Sequence, residues 1–476
     1  MTTSSASTGA REERGLALTV SPGALVLAAA IPVLFLHVKY QPGFGVAFGE
    51  TTLNAYLSDF AVLAVAIVAL ASGLRNGFAP LARGRWLWLA GLLCLAWIFA
   101  EVAYGRRHAP SYAWHTHAAT AAKFAEYALL APSLPLLLRG TRDLLLPLWS
   151  LTIWNVVATT AGVVQFFGAR ILITGAAGHR QASFLSEADF AALSGATLLL
   201  GLIALALPRL GLGRRLAVVA TAGGAIGTIV AGAIAALLGL LVAGAAIGVV
   251  LAIRRELPRR AVSIAAVVAV VAAGSVAIRG TDLEQFVHFL GANLGQQQAQ
   301  QAKVQTYAHH TLLAWIGFEI WKDHPLLGVG WEGSSEPGNF EPYLPAAHRR
   351  FPHEAPLAFP AAAPDRRYGV QNVWIQALAD LGAIGFALWV AIFAAAAWLS
   401  ARAAIAGSSG AALLGLAWTA LLVGLWTSQG YVAGIPLDAL TWLAFGLAAL
   451  PPGTEASTSP ARYFAGLRRS FRENGA

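Results

Sequence analysis

Cysteine and charge are what this chain has least of. One residue of 476 is cysteine, Cys94, and it sits inside an apolar run. An intrachain disulfide and a cysteine-built metal site are thereby excluded. Charged residues make up 12% of the chain and hydrophobic ones 57%, where a soluble domain carries about 25% charged residues. That balance excludes an ordinary soluble core and points to a polytopic membrane protein. The net charge of +9 would suit nucleic acid. The arginines are scattered through short connectors instead, as membrane topology requires, so no nucleic-acid partner is expected. No internal repeat of fixed period stands out, and no inverted halves of the kind many transporters show. No small-residue cleavage site follows the first apolar run, which therefore reads as a retained helix.

A helix needs about 20 apolar residues to cross a bilayer. Twelve stretches qualify, near 17–37, 54–74, 84–104, 118–138, 144–168, 188–207, 214–231, 233–252, 261–278, 373–399, 410–428 and 431–450. The pair flanking Gly232, read as one helix, would reach nearly 60 Å, roughly twice the hydrocarbon thickness, so the chain must turn there. With the N-terminus inside, the cytoplasmic segments carry nineteen Arg and the short outer loops only five Lys or Arg. This positive-inside bias predicts that both termini are cytoplasmic and that the long polar stretch 279–372 lies outside. The expected organisation is a tail (1–15), nine spans (16–278), a large outer loop (279–372), three spans (373–450) and a second tail (451–476).

Polar residues inside apolar spans are expensive and are functional candidates by default. Lys123 and Glu126 sit three residues apart in the fourth span, on one helix face. They read either as a functional pair or as a structural ion pair that fixes packing. Asp59 opens the second span and reads as a cap or anchor. Asn155 and Gln165 in the fifth span are expected to bond between helices. Arg180, in the connector Gly178–Asp189, carries a guanidinium fork suited to phosphate, or else is a solvated loop residue.

The long loop begins at Arg279, passes through a Gln-rich stretch and predicts an amphipathic helix from His309 and His310 to Lys322. The turn 324–331 follows. Next comes a segment rich in Pro and aromatic residues that holds His348, Arg349, Arg350, His353, Arg366 and Arg367 and ends at Gln371 and Asn372. Three readings stand. The Arg forks bind an anionic substrate beside a His or carboxylate base. Alternatively, the loop is a lid whose Arg residues rest on lipid headgroups. The third reading is a His-built metal site, although the spacings match no ligand motif.

Two of these stretches resemble a known family. His324-Pro325-Leu326-Leu327-Gly328-Val329-Gly330, then a polar loop, then Gln371-Asn372-Val373-Trp374 running to Asp380-Leu381-Gly382-Ala383-Ile384-Gly385, is similar to the C-terminal signature of the O-antigen ligase and O-antigen polymerase family. The connector from Gln165 through Arg180 to Phe184 resembles the family's link between spans five and six. The likeness covers about residues 50–450. It implies an all-α fold like that of the C-type glycosyltransferases, with about twelve spans and a large outer loop between helices 9 and 10. It also implies transfer of a glycan from an undecaprenyl pyrophosphate carrier to a hydroxyl of a glycan or lipid acceptor, at the outer face of a bacterial inner membrane, with no metal, cofactor or nucleotide sugar.

The chain departs from that pattern at three places. Gln371 stands where the family has His, and Gln cannot act as a general base. Val230-Ala231-Gly232 replaces the family's Ser-Arg-Gly. The Arg expected one helix before the 324–330 turn falls near His310. A rebuilt site would use Arg180, Arg279, Arg349, Arg350, Arg366, Arg367 and Asn372 for the pyrophosphate and glycan, with His310, His353 and Gln371 nearest the chemistry. The rival readings are a flippase or transporter for an envelope lipid, and a family member that has lost catalysis and serves as a scaffold.

Overall fold

The computed structural model describes residues 21–451 apart from 50, 110, 139–140, 174, 208–212, 257–260, 281–305, 352–368, 408–409 and 432. Helices lie over every predicted apolar stretch. In chain order they are α1 (Pro22–Leu34), α2 (Leu57–Asn76), α3 (Arg85–His108), α4 (Trp114–Ala128), α5 (Leu130–Leu137), α6 (Thr141–Phe166), α7 (Glu187–Ala206), α8 (Arg214–Ala231), α9 (Ile234–Ile253) and α10 (Ala261–Ile278). After the loop come α13 (Val373–Ile405), α14 (Gly410–Leu425) and α15 (Pro436–Ala449), preceded within the loop by α11 (Thr306–Asp323) and α12 (Leu344–Arg350). Seven helices among the described residues are long and apolar enough to cross a membrane, judged by length and composition, and four apolar ones are shorter. The fourth predicted span is two helices, because Pro132 cannot donate to the Ala128 carbonyl and α4 ends there.

The bundle is built around α7. Of its most apolar window 89% is buried, and α14 and α15 are likewise buried on all sides, the pattern of helices that face other helices all round. Sparse polar bonds fix their rotation. Ser194 Oγ on α7 donates to Asn155 Oδ1 on α6 at 3.0 Å, and Trp418 Nε1 on α14 donates to the Ala196 carbonyl at 2.9 Å. Asn155 is thus an interhelical tie, as its sequence position suggested.

One element departs from an all-helical reading. Strands β1 (Gly43–Phe48) and β2 (Thr51–Tyr56) pair antiparallel as a hairpin between α1 and α2. The sequence there is Gly-Phe-Gly-Val-Ala-Phe, then Thr-Thr-Leu-Asn-Ala-Tyr. It alternates at the strand period but is short enough to pass for a connector.

The two stretches that carried the family likeness lock onto each other through backbone. Gly382, at φ 64 and ψ −172, breaks α13 inside its length. A side chain there would collide with the Leu326 carbonyl, and one at Gly328 (φ 75) would collide with Asp380 backbone. Glycine at both places admits four close bonds. Val329 N donates to Ala379 O (3.0 Å), Gly330 N to Asp380 O (3.0 Å), Ala383 N to Pro325 O (2.8 Å) and Ile384 N to Leu326 O (3.5 Å). The Asp380 carboxylate, fully buried, also accepts from Ser334 N at 2.7 Å and from Gln376 Nε2 at 3.0 Å. Above this joint the loop has its own apolar core, in which Leu312, Leu313, Ile316 and Ile320 of α11 meet Val329, Phe340 and Ala347. Residues 306–351 therefore form a packed layer on α13, and α11 is held at a fixed height over the bundle.

Candidate active site

Four separated segments meet at one cavity of about 440 Å³ on the loop side of the bundle. Its lining includes Arg180 from the α6–α7 connector, Arg279 after α10, His310 on α11 and Gln371 before α13. The sequence picked all four, one from the connector 178–189 and three from the long loop, and the fold brings them together.

Each is positioned by local chemistry. The connector that carries Arg180 is tied down on both sides. Gln181 N donates to the Val230 carbonyl at 3.0 Å, and the buried Gln181 side chain bonds Gly175 N, Ala176 O and His179 O. Gln165 holds Ser183 through both its amide atoms and also donates to Ile171 O and Ile173 O. It staples the connector to the end of α6 instead of bonding across helices, which corrects the sequence expectation. Gly232 makes the tight turn between α8 and α9 in the left-handed region, at φ 56. A β-carbon there would lie 3.3 Å from Arg180 Cβ and 3.5 Å from Arg279 Cγ. The turn thus passes between the two arginine stems. Ala231, in the position where the family pattern has Arg, is buried beside this turn.

Arg279 is only 2% exposed, whereas the Arg180 side chain is about one-third exposed and its Nε lies 3.8 Å from Glu187 Oε1. His310 Nδ1 donates to the Gln371 carbonyl at 3.1 Å. In the neutral ring this leaves Nε2 as the unprotonated nitrogen. Burial lowers the His310 pKa from its ordinary 6.5. The bond to Gln371 opposes this, and the nearby charges of Arg180 and Arg279 add to the lowering. The arrangement offers two fixed cations beside an imidazole kept neutral at physiological pH.

The other candidates lie elsewhere. Asn372 caps α13, its Oδ1 accepting from Ile375 N at 3.2 Å and its Nδ2 donating to Thr427 O at 3.1 Å; it positions Gln371 and does not line the cavity. Arg349 and Arg350 are exposed on α12, with Arg350 over the Phe351 ring, and they are not among the lining residues. His353, Arg366 and Arg367 lie outside the described residues, as does the side chain of His348. Lys123 takes Asp59, not Glu126, as its partner, with Nζ 3.0 Å from Asp59 Oδ2. Asp59 also caps α2, accepting from Tyr56 N at 2.8 Å. The ion pair thus runs between α2 and α4, where the sequence spacing suggested one within α4.

The sequence reading missed several residues at this face. Glu187, Thr427, Ser428 and Gln429 also line the cavity. The last three come from the α14–α15 connector, of which Thr427 and Ser428 were read as the end of a span and Gln429 as part of a short link. A second polar cluster was missed altogether. His117, 2% exposed on the first turn of α4, places Nδ1 3.1 Å from Glu332 Oε2 and Nε2 2.7 Å from Glu336 Oε1. Glu332 adopts a left-handed conformation (φ 57) to reach it. Tyr112 donates to the Trp331 carbonyl at 2.6 Å and Trp331 Nε1 to Thr120 at 2.9 Å. This cluster clamps the 324–336 turn to α4. Its signal in the sequence was present but diluted, a His at 117 with two Glu more than 200 positions later.

No curated protein matches the chain. A family description does. Residues 216–390, which run from α8 across the cavity's Arg279, His310 and Gln371 and past the Gly382 break, match the model described as O-antigen ligase. The matched stretch is similar to the O-antigen ligase family, and together with the apolar helices it marks the chain as a multi-pass membrane protein.

Proposed function

We propose that the chain transfers a glycan from a polyprenyl diphosphate carrier to a hydroxyl acceptor, at the outer face of the membrane, on the cavity lined by Arg180, Arg279, His310 and Gln371. One observation carries the reading. Two guanidinium groups and a neutral imidazole, supplied by three distant segments, face one cavity on the loop side. A bundle of about twelve spans with both termini in the cytoplasm, as the arginine distribution suggests, would place that cavity at the outer surface, where lipid-linked glycans are presented.

In this reading the acceptor hydroxyl attacks the anomeric carbon of the donor. The bond from that carbon to the diphosphate oxygen breaks as the new glycosidic bond forms. Negative charge grows on the leaving diphosphate, and fixed cations at Arg180 and Arg279 favour that state over the ground state. The acceptor's proton passes to Nε2 of His310, whose other nitrogen is held by the Gln371 carbonyl. Gln371 contributes through its backbone, so the proton-accepting role does not need a histidine at that position. The free polyprenyl diphosphate and the extended glycan are the products. The reading covers both ligation to a lipid acceptor and polymerisation onto a second glycan chain.

The test is release of the carrier. The purified protein in lipid is given a radiolabelled polyprenyl diphosphate glycan and a glycan or lipid acceptor, and free polyprenyl diphosphate is measured. Release that falls at least a hundredfold with Arg180→Ala and with His310→Ala supports the reading. Failure to release carrier with any acceptor, in a preparation that binds the donor, overturns it.

A further inference from the structure

We propose that the β1–β2 hairpin lays one face into the phospholipid leaflet on the loop side of the bundle, as a wedge that continues the lipid-facing surface of α2. The register pairs Phe44 with Ala55, Val46 with Leu53 and Phe48 with Thr51. Side chains alternate across a strand, so Phe44, Val46, Phe48, Leu53 and Ala55 share one face, and Gly45, Ala47, Thr52 and Asn54 share the other. The first face is apolar and the second polar. Phe44, Val46 and Phe48 are 56%, 50% and 38% exposed, a contiguous apolar surface of the kind that marks an interaction site.

Continuity identifies the occupant. The Phe44 ring lies 5.9 Å from the Phe60 ring. Phe60 begins a stripe of exposed large side chains along α2, continued by Leu63, Ile67, Leu70 and Leu74. Their spacing of three and four residues is one helix face, and α2 is long and apolar enough to cross a membrane. A stripe of this kind on a spanning helix faces acyl chains, and the hairpin extends it past the helix end without a polar interruption. The hairpin tip carries the chemistry of a membrane–water boundary. Phe48 packs edge-on against Trp114 and His115, and the Arg106 guanidinium lies 4.1 Å over the Trp114 ring. Aromatic rings and cations of this kind concentrate at headgroup level. The polar face turns the other way, where the Asn54 carbonyl accepts from Lys123 Nζ at 3.4 Å. The tip touches the start of α4, which binds the loop turn through His117, so hairpin and loop share one side of the bundle.

Site-directed nitroxide labelling tests this, because the single native cysteine is buried and is removed as Cys94→Ala. Val46→Cys and Thr52→Cys are labelled separately in the full-length protein, reconstituted into vesicles of phosphatidylethanolamine and phosphatidylglycerol. Collision with oxygen, which partitions into acyl chains, is compared with collision with a water-soluble nickel chelate. The expected result is an oxygen-to-nickel ratio several-fold higher at position 46 than at 52, and the same sense for Phe48→Cys. Nickel-dominated collision at both positions would place the hairpin in water and overturn the proposal. Low collision with both probes at position 46 would mean that protein covers the face, such as a second copy of the chain, and would overturn it equally.

Discussion

The clamp between His117 and the loop makes a quantitative prediction about pH. Both imidazole nitrogens face carboxylate oxygens, at 3.1 and 2.7 Å. Only the imidazolium can donate to both. Burial works against that charge, but the hydrogen bonds and charges of Glu332 and Glu336 outweigh it and raise the pKa from 6.5 to about 9. A rise of that size is linked to about 3 kcal/mol of preference for the clamped over the open state. The contribution is fully present below the ordinary imidazole value of 6.5 and is lost as pH rises through about 9. Tyr112, whose ring centroid lies 4.5 Å from that of His117, does not confuse the titration. Burial, and then Asp380 and the surrounding glutamates, raise its hydroxyl pKa further from the range. The assay is hydrogen–deuterium exchange of the 328–336 amides, corrected for the intrinsic pH dependence of exchange. Protection of the wild-type turn is expected to fall about a hundredfold between pH 7 and pH 10, the factor that about 3 kcal/mol corresponds to. His117→Gln, which cannot carry the charge, should show lower protection at pH 7 and no such fall. A wild-type profile that stays flat through pH 9, or the same slope in His117→Gln, would refute the clamp as described.

Further outcomes follow from the cavity. Arg180→Ala should reduce carrier release at least a hundredfold and Arg350→Ala less than threefold, because Arg180 lines the cavity and Arg350 is exposed on α12; equal losses in steady-state assays would argue against the cavity as the site. The acidic limb of the rate profile should have its midpoint below pH 6.5, since burial and then the two arginines hold His310 below its ordinary value and a base works only while unprotonated; a midpoint above 6.5 would exclude His310 as that base. Gly232→Ala should cost about 1 kcal/mol of backbone strain at its positive φ and lower carrier release more than it lowers the melting temperature, because the added methyl crowds the Arg180 stem and touches that of Arg279; a purely thermal effect would leave activity per folded molecule unchanged. Gly382→Ala and Gly328→Ala should each prevent the turn from docking, read as rapid proteolysis between α11 and α13 with the remaining helices intact.

Helix positions were legible because the bilayer imposes a length and a composition that short windows detect. The tight turn at Gly232 was legible for the same reason, since one uninterrupted helix would overshoot the hydrocarbon. Arg180, Arg279, His310 and Gln371 were legible as charged or polar residues of the connector 178–189 and the long loop. Their convergence was not, because it depends on how α8, α10, α11 and α13 pack, and one sequence carries no pairwise signal for that. The Lys123 partner was misread for a related reason. Helix spacing favoured Glu126, but Asp59 arrives from α2, 64 positions away, and its carboxylate is already fixed by capping the helix. The hairpin escaped because its strands are six residues each, shorter than the windows that reveal spans.

The exchange at position 371 has a physical reading that the residue types alone do not suggest. A histidine there would offer a ring to the acceptor from the start of α13. In this chain the glutamine keeps the same backbone, and its carbonyl takes the Nδ1 proton of His310 from above. The imidazole at this cavity comes from the loop helix and is oriented from the start of α13. Arg180 and Arg279 both lie against the tight turn at Gly232. In the proposed site, charge and proton-accepting capacity reach the cavity from the α6–α7 connector, the end of α10 and the loop helix. That delivery now depends on α11 staying seated on α13, which the paired glycines at 328 and 382 permit and the His117 clamp reinforces. Restoring histidine as Gln371→His in a His310→Ala background therefore separates position from identity. Recovered carrier release would show that the cavity accepts a base from either segment. Continued inactivity, with the donor still bound, would show that the loop helix must supply it.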